Sequence, residues 1–283
     1  MAFWEAIVLG VIQGLTEFLP VSSSGHLALA QYFFGITEPQ LFFDIMLHVG
    51  TLVAIVVVFR RDIRDIFAAI VGREPKGGHD LPHRMTKESG RVFAWLIVVG
   101  SVPTAIIALL FSMFVEKLFV IPLFVSGMLL TTGVILWLSG RFGTARADLK
   151  PAPTSGLNAI SALMIGAAQG IATLPGISRS GATISAALMR GVDREEAARY
   201  SLLLSVPAIL GAVLLELRDI TSTNIPVWTI IAGTLVAFVV GYVAIKVLLG
   251  TLRRGKFSRF AYYCWSIGAV AILGYVIRRS VGP

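Results

Sequence analysis

Two segments of this chain carry acid, amide, hydroxyl, imidazole and guanidinium groups through surroundings otherwise apolar enough for lipid. The first, Gly10 to Gly25, reads GVIQGLTEFLPVSSSG, and the second, Gly166 to Gly181, reads GAAQGIATLPGISRSG. Aligned without a gap, Gly10, Gln13, Gly14, Ser22, Ser24 and Gly25 match Gly166, Gln169, Gly170, Ser178, Ser180 and Gly181. The copies differ where chemistry would differ: Glu17 faces Thr173, Ser23 faces Arg179, and His26 faces Ala182. A duplicated scaffold has thus received an acid and an imidazole on one arm and a guanidinium on the other.

Gln13 and Glu17 are four apart and project from one face of a helix, with Glu17 toward the tip of its segment. An ionisable group inside a membrane is costly and is read as functional, against the plainer reading of a carboxylate satisfied by nearby hydroxyls. The turn Pro20 to His26 supplies three hydroxyls and an imidazole at the mouth of the next helix. Ser22 and Ser24 recur in the second copy and suit helix capping. Ser23 and His26 do not recur, and three residues apart they fit a nucleophile with its base. In Pro175 to Thr183, PGISRSGAT, small residues admit a ligand to the backbone. The following helix start offers N–H groups, and Arg179 adds a planar fork suited to phosphate. Ser178, Ser180 and Thr183 supplement it. The Walker pattern is missing, so nucleotide hydrolysis has no support. Asp44 and His48, also four apart, are read as supporting or substrate contacts, and His79 and His83 as solvated. No chemistry is assigned to the helix start at Asp193 to Arg199.

These groups need a frame that lipid tolerates. Of 283 residues 56% are hydrophobic and 14% charged, with a mean hydropathy of +0.82, which marks an integral membrane protein. The net charge of +8 sits in loops rather than on one face, so it concerns topology and anionic lipid, not nucleic acid. Cys264 stands alone, which excludes a disulfide framework and a Cys-based metal site. No Lys or Arg precedes Arg60, so the first segment reads as part of the mature protein rather than a signal peptide.

Six runs reach the length of a membrane span: Leu41 to Phe59, Val92 to Phe111, Val120 to Leu138, Ser201 to Leu217, Val227 to Leu249 and Phe260 to Ile277. Phe3 to Phe34 and Leu157 to Met189 are instead broken in the middle by Pro, Gly and Ser, and each reads as a re-entrant helical hairpin facing inward. Basic residues in 60–91, 141–150 and 253–259 put those loops on the cytoplasmic side. The first hairpin then enters from outside, the second from the cytoplasm, and both termini lie outside; Arg278 and Arg279 run against this scheme. The expected fold is all-α, six transmembrane helices plus two re-entrant hairpins in one membrane domain. Residues 1–150 form the first half and 151–283 the second, inverted half, an architecture that places its site at the midplane between the repeats. The glycine-rich stretch Gly233 to Gly241 permits close packing within one chain or between two in a homodimer.

The chain resembles the bacterial undecaprenyl-diphosphate phosphatase family, the bacitracin-resistance phosphatases, over essentially its whole length. The resemblance rests on Gln13-Gly-Leu-Thr-Glu17 followed by Pro-Val-Ser-Ser-Ser-Gly-His26, and on Pro175-Gly-Ile-Ser-Arg-Ser-Gly-Ala-Thr183. It implies hydrolysis of undecaprenyl diphosphate to the monophosphate carrier lipid of cell-wall synthesis. It further implies an active site opening to the periplasmic or outer face of the inner membrane, and dependence on Mg²⁺ or Ca²⁺. The family has Glu or Gln four residues before the second Glu; with Gln13 this chain brings one carboxylate fewer to a cation bound at Glu17. The residues and resemblance together give Arg179 with Ser178 and Ser180 as the diphosphate clamp and Ser23, His26 or a water as nucleophile. Glu17 is then a metal ligand or the group orienting His26. Two other classes compete: a transporter or flippase of a polyprenyl phosphate or another anion, which uses the same residues for binding only, and a nonenzymatic protein that sequesters bacitracin, which would tolerate Glu17→Ala and Arg179→Ala.

Overall fold

The computed structural model describes residues 1–36, 40–75, 86–143, 156–216, 225–281. Its helices are α1 (Phe3–Phe18), α2 (Ser23–Phe34), α3 (Leu41–Val58), α4 (Arg60–Ile70), α5 (Lys87–Phe119), α6 (Pro122–Phe142), α7 (Ala159–Ile171), α8 (Arg179–Met189), α9 (Arg194–Glu216), α10 (Val227–Arg253) and α11 (Phe260–Val281). A single 3₁₀ turn, Phe257–Arg259, precedes α11. There is no strand among the described residues. Five helices are long and apolar enough to cross a membrane, and α3 with α4 makes a sixth candidate bent by 73°. Large side chains such as Leu110, Met113 and Leu273 stand exposed along these helices, an apolar surface that a bilayer covers and water would not. The chain is a multi-pass membrane protein.

At 16, 12, 13 and 11 residues, α1, α2, α7 and α8 are each too short to cross, since a span takes about 20. They pair as the two expected hairpins, broken at 19–22 and 172–178. The packing exchanges partners between the halves. The first hairpin's α1 lies along α10, while its counterpart α7 lies along α5, the helix that corresponds to α10 in the first half. Glycine makes the first contact close: a Cβ at Gly14 would meet Ala237 O at 2.8 Å and Gly241 N at 2.9 Å. A Cβ at Gly233 would meet the Phe43 ring at 2.8 Å. The Gly233 to Gly241 stripe is therefore used inside the protomer, seating α1 and α3 on α10. The boundary between the halves at 150/151 lies outside the described residues, as do His79 and His83.

The structure corrects the sequence reading at the basic 60–91 segment. The start of the basic 60–91 segment, expected as loop, forms α4: Asp62, Asp65, Ile66 and Ala69 are buried, while Arg60, Arg61, Arg64, Phe67 and Ile70 face outward. Adjacent charges hide this helical period in the sequence. The turn at Asp193 to Arg199 continues directly into the fourth span as the start of α9. There Arg199 forms an ion pair with Asp62 and stacks over the Phe93 ring at 5.0 Å, tying α4 and α9 to α5. Breaking a buried pair strands a charge, so Asp62→Ala should lower stability by about 3–5 kcal/mol. Asp62→Leu with Arg199→Met should lose less; denaturant titration in detergent compares the two.

Near the end of α11, Arg278 donates to Tyr32 O at 2.9 Å and sits over the Tyr32 ring at 4.7 Å. It stabilises the C-terminal end of α2, where carbonyls and the helix dipole favour a cation. That local use gives a reason for an arginine that runs against the loop-charge scheme.

Candidate functional site

The last turn of α1 is apolar except on the face carrying Gln13, Thr16 and Glu17, and all three are buried. Thr16 returns its hydroxyl to Ile12 O, leaving Gln13 and Glu17 to face the bundle. After α1 the chain turns through Leu19 to Ser22, where Ser22 takes φ 68°, a left-handed conformation uncommon for a residue with a side chain. The strain is held by the cap: Ser22 Oγ accepts from Gly25 N at 3.2 Å. The second hairpin repeats this device, with Ser178 Oγ accepting from Gly181 N at 3.0 Å. Ser24 contacts Ser22 and Ser180 contacts Ser178 through their hydroxyls, at 3.2 and 3.3 Å. The residues that recur between the copies build the two turns.

The residues that do not recur meet. Glu17 Oε1 is paired with Arg179 Nη2 across 162 positions of sequence, so one arm of each hairpin contributes half of a buried ion pair. Glu17 Oε2 accepts from Ser23 Oγ at 2.6 Å and from Gln13 Nε2 at 3.0 Å. His48 Nε2, on α3, lies 3.8 Å from the same oxygen. Helices α2 and α8 both begin here, at Ser23 and Arg179, so their N-terminal N–H groups and positive dipole ends converge on the centre. Ser180 Oγ donates to Leu19 O at 3.2 Å and latches the hairpins together. Thr183 returns its hydroxyl to Arg179 O at 2.9 Å, which holds the first turn of α8 rather than a ligand.

The expected Ser23–His26 pair is not what forms. His26 Nδ1 donates to Ser22 O at 2.8 Å, and its Nε2 lies 3.0 Å from Tyr263 Oη, with the two rings stacked. A carbonyl only accepts, so the Nδ1 proton is fixed and Nε2 takes the Tyr263 hydroxyl proton. The acceptor beside Ser23 is Glu17, at a distance suited to activating a nucleophile.

Sequence reasoning reached Asp44 and His48 but not their arrangement: Gln31 Nε2 donates to both Asp44 oxygens, while His48 turns toward Glu17. It missed Thr132, whose hydroxyl donates to Gly176 O and accepts from Ser178 N, bracing the second turn from α6. It also missed Tyr263. Neither belongs to the repeated segments, and nothing in the local sequence of its helix sets it apart.

Ser23, Ser24, His26 and His48 are partly exposed, whereas Gln13, Glu17 and Ser22 are buried, so the centre opens on the side of α2 and α3. Behind the ion pair, a cavity of about 10 Å³ is bordered by Thr183, Ser201 and Ser205, about the room one water needs. A ligand with two phosphates must come from the open side. Gln13 turns its Nε2 to Glu17, and its Oε1 is buried with no hydrogen-bond partner.

A membrane-embedded all-helical protein whose broken helices hold a carboxylate, a hydroxyl and a guanidinium at two helix N-termini is built for chemistry on an anionic, lipid-borne group. The chain belongs to the family described as bacitracin resistance protein BacA, which it matches over residues 6–270. It is 49% identical to the undecaprenyl-diphosphatase of Desulfosudis oleivorans, over 95% of this chain and 97% of that one. It is 47% identical to that of Desulforapulum autotrophicum, over 98% and 100%. The undecaprenyl-diphosphatase of Methanobrevibacter smithii is 40% identical over 96% and 97%.

Proposed function

We propose that this protein hydrolyses undecaprenyl diphosphate to undecaprenyl phosphate and inorganic phosphate, renewing the carrier lipid and conferring bacitracin resistance. The observation that carries the reading is the Ser23–Glu17–Arg179 chain at two helix N-termini, joined to near full-length similarity with undecaprenyl-diphosphatases. Arg179 and the N–H groups of α2 and α8 hold the diphosphate. Ser23 Oγ attacks the terminal phosphorus while its proton passes to Glu17 Oε2. The bond to the bridging oxygen breaks, and its electron pair leaves with the lipid monophosphate. Water then attacks the phosphoserine phosphorus, its oxygen and protons leaving in the released phosphate, while Glu17 returns the proton it took to Ser23 Oγ as the Oγ–P bond breaks. Phosphoryl transfer asks mainly for such positioning and for charge to be neutralised at the equatorial oxygens. With both ring nitrogens of His26 engaged, Ser23 is favoured over a water activated by His26.

A divalent cation, Mg²⁺ or Ca²⁺, fits the donors present. Such ions are commonly held by one or two carboxylates, neutral oxygens and substrate phosphates, and Glu17 with the unpartnered Gln13 Oε1 supplies the protein share. The ion would supply further neutralisation of the diphosphate charge. The open side, at Ser23 and His26, belongs to the outer face of the inner membrane in the orientation that loop charge gives.

The test is phosphate release from a polyprenyl diphosphate by the purified protein in detergent, with and without chelator. Ser23→Ala should lower kcat by at least about a hundredfold, the lower range for losing one positioned acid–base or nucleophile contact. An intact diphosphate after incubation with folded wild type would favour a transporter of the same lipid, and near-normal turnover by Ser23→Ala would remove the serine step.

A further inference from the structure

We infer that His48 is a ligand of the divalent cation, making a mixed oxygen and nitrogen site with Glu17 and Gln13 and tuning this protein toward Mn²⁺-type ions over Ca²⁺. The inference deepens the phosphatase reading and rests on it. Three observations converge. His48 Nδ1 lies 2.8 Å from Asp44 O, a carbonyl that only accepts, so this nitrogen carries the ring proton and the Nε2 lone pair is left free. A histidine that binds metal commonly shows this arrangement, with its other N–H held by a carbonyl or carboxylate. Nε2 stands 3.8 Å from Glu17 Oε2, about the separation of two donors that share one ion at ordinary coordination distances.

Gln13 is 0% exposed, and its Oε1 accepts nothing. Its terminal torsion is broad and two-fold, so the amide can turn over and present Oε1 where Nε2 now meets Glu17. The two Glu17 oxygens then divide their work: Oε1 remains on Arg179, and Oε2 faces Gln13, Ser23 and His48. Among the described residues no third acidic, histidine or cysteine side chain joins Glu17 and His48. The remaining positions are thus for water and substrate phosphate, as a catalytic ion requires. Imidazole adds little affinity for Ca²⁺, whose ligands are oxygens, and more for transition ions. Where position 13 brings an amide instead of a carboxylate, the nitrogen of His48 supplies the missing donor.

The experiment uses the full-length protein in detergent with Mn²⁺ alone as the probe, read by electron paramagnetic resonance. Wild type should bind one Mn²⁺ and show hyperfine coupling to a histidine nitrogen. His48→Gln should lose that coupling and bind Mn²⁺ about 10- to 100-fold more weakly, a range already seen for groups that only orient a ligand, with Mg²⁺ affinity nearly unchanged. Gln13→Glu placed on His48→Gln should restore divalent binding with a preference for Mg²⁺, which also shows that the His48 variant is folded. Wild type without nitrogen coupling, or without bound Mn²⁺, overturns the inference. So does a His48→Gln protein that binds Mn²⁺ as tightly as wild type. Phosphate release measured on the same preparations separates the two readings: release without coupling leaves the phosphatase standing and removes His48 from the site, whereas no release removes the phosphatase.

Discussion

Arg179→Lys is expected to lower kcat for phosphate release by about a thousandfold, the lower end of what an arginine on a transferring phosphoryl group contributes. Lysine keeps the charge beside Glu17 but loses the planar fork. In the structure one guanidinium nitrogen is held by Glu17, and the planar fork has further N–H donors to offer a diphosphate. An ammonium can satisfy Glu17 or the phosphate, but not both in one plane. Because a cation still neutralises the buried carboxylate, the melting temperature should move little. Steady-state kinetics with a polyprenyl diphosphate, beside a thermal melt of each protein, checks both statements. A variant within tenfold of wild type would mean that Arg179 serves only as glue between the hairpins.

Glu17→Gln should be comparably damaging to turnover, about 10²- to 10⁴-fold for loss of a general base, and unlike the arginine change it should also destabilise. The amide cannot take the Ser23 proton, and it leaves the Arg179 charge largely buried without its partner, at a cost of about 3–5 kcal/mol. Pairing it with Arg179→Gln gives a sharper measurement. The double variant should be less destabilised than the sum of the two single ones, because each single change strands the other group and the double change strands neither. Strict additivity in stability would contradict the ion pair.

The residues that make this centre stand out in the sequence because lipid makes them costly. Glu17 and Arg179 are conspicuous in an apolar chain, and the repeat puts them at matching turns, so their convergence follows once both hairpins face inward. What the sequence cannot supply is which acceptor each hydroxyl finds. Ser23 and His26 share a helix start, and spacing alone makes them partners; in the fold one turns to Glu17 and the other to Tyr263, 237 positions away in sequence. The helix α4 is hidden for a different reason. Its burial depends on Arg199, more than a hundred residues away, and no local window contains the partner that lets Asp62 go inside. The length of α9 is underestimated for a related reason, since its polar first turns continue the helix beyond the part that lipid requires.

The exchange of partners between the halves has a consequence for biogenesis. Helix α1 is completed against α10, and Glu17 is neutralised by a residue 162 positions further along. At bacterial synthesis rates of about 5–20 residues per second, the first hairpin waits roughly ten to thirty seconds before its charge partner leaves the ribosome. During that interval Glu17 has Gln13 and Ser23 of its own hairpin but no Arg179 charge to pair with in a bilayer. The insertion machinery must shelter this segment, or Glu17 must hold its proton until the second arm arrives. Truncation after α6 should therefore leave a nascent chain that quality-control proteases recognise, although every helix it contains has already been made.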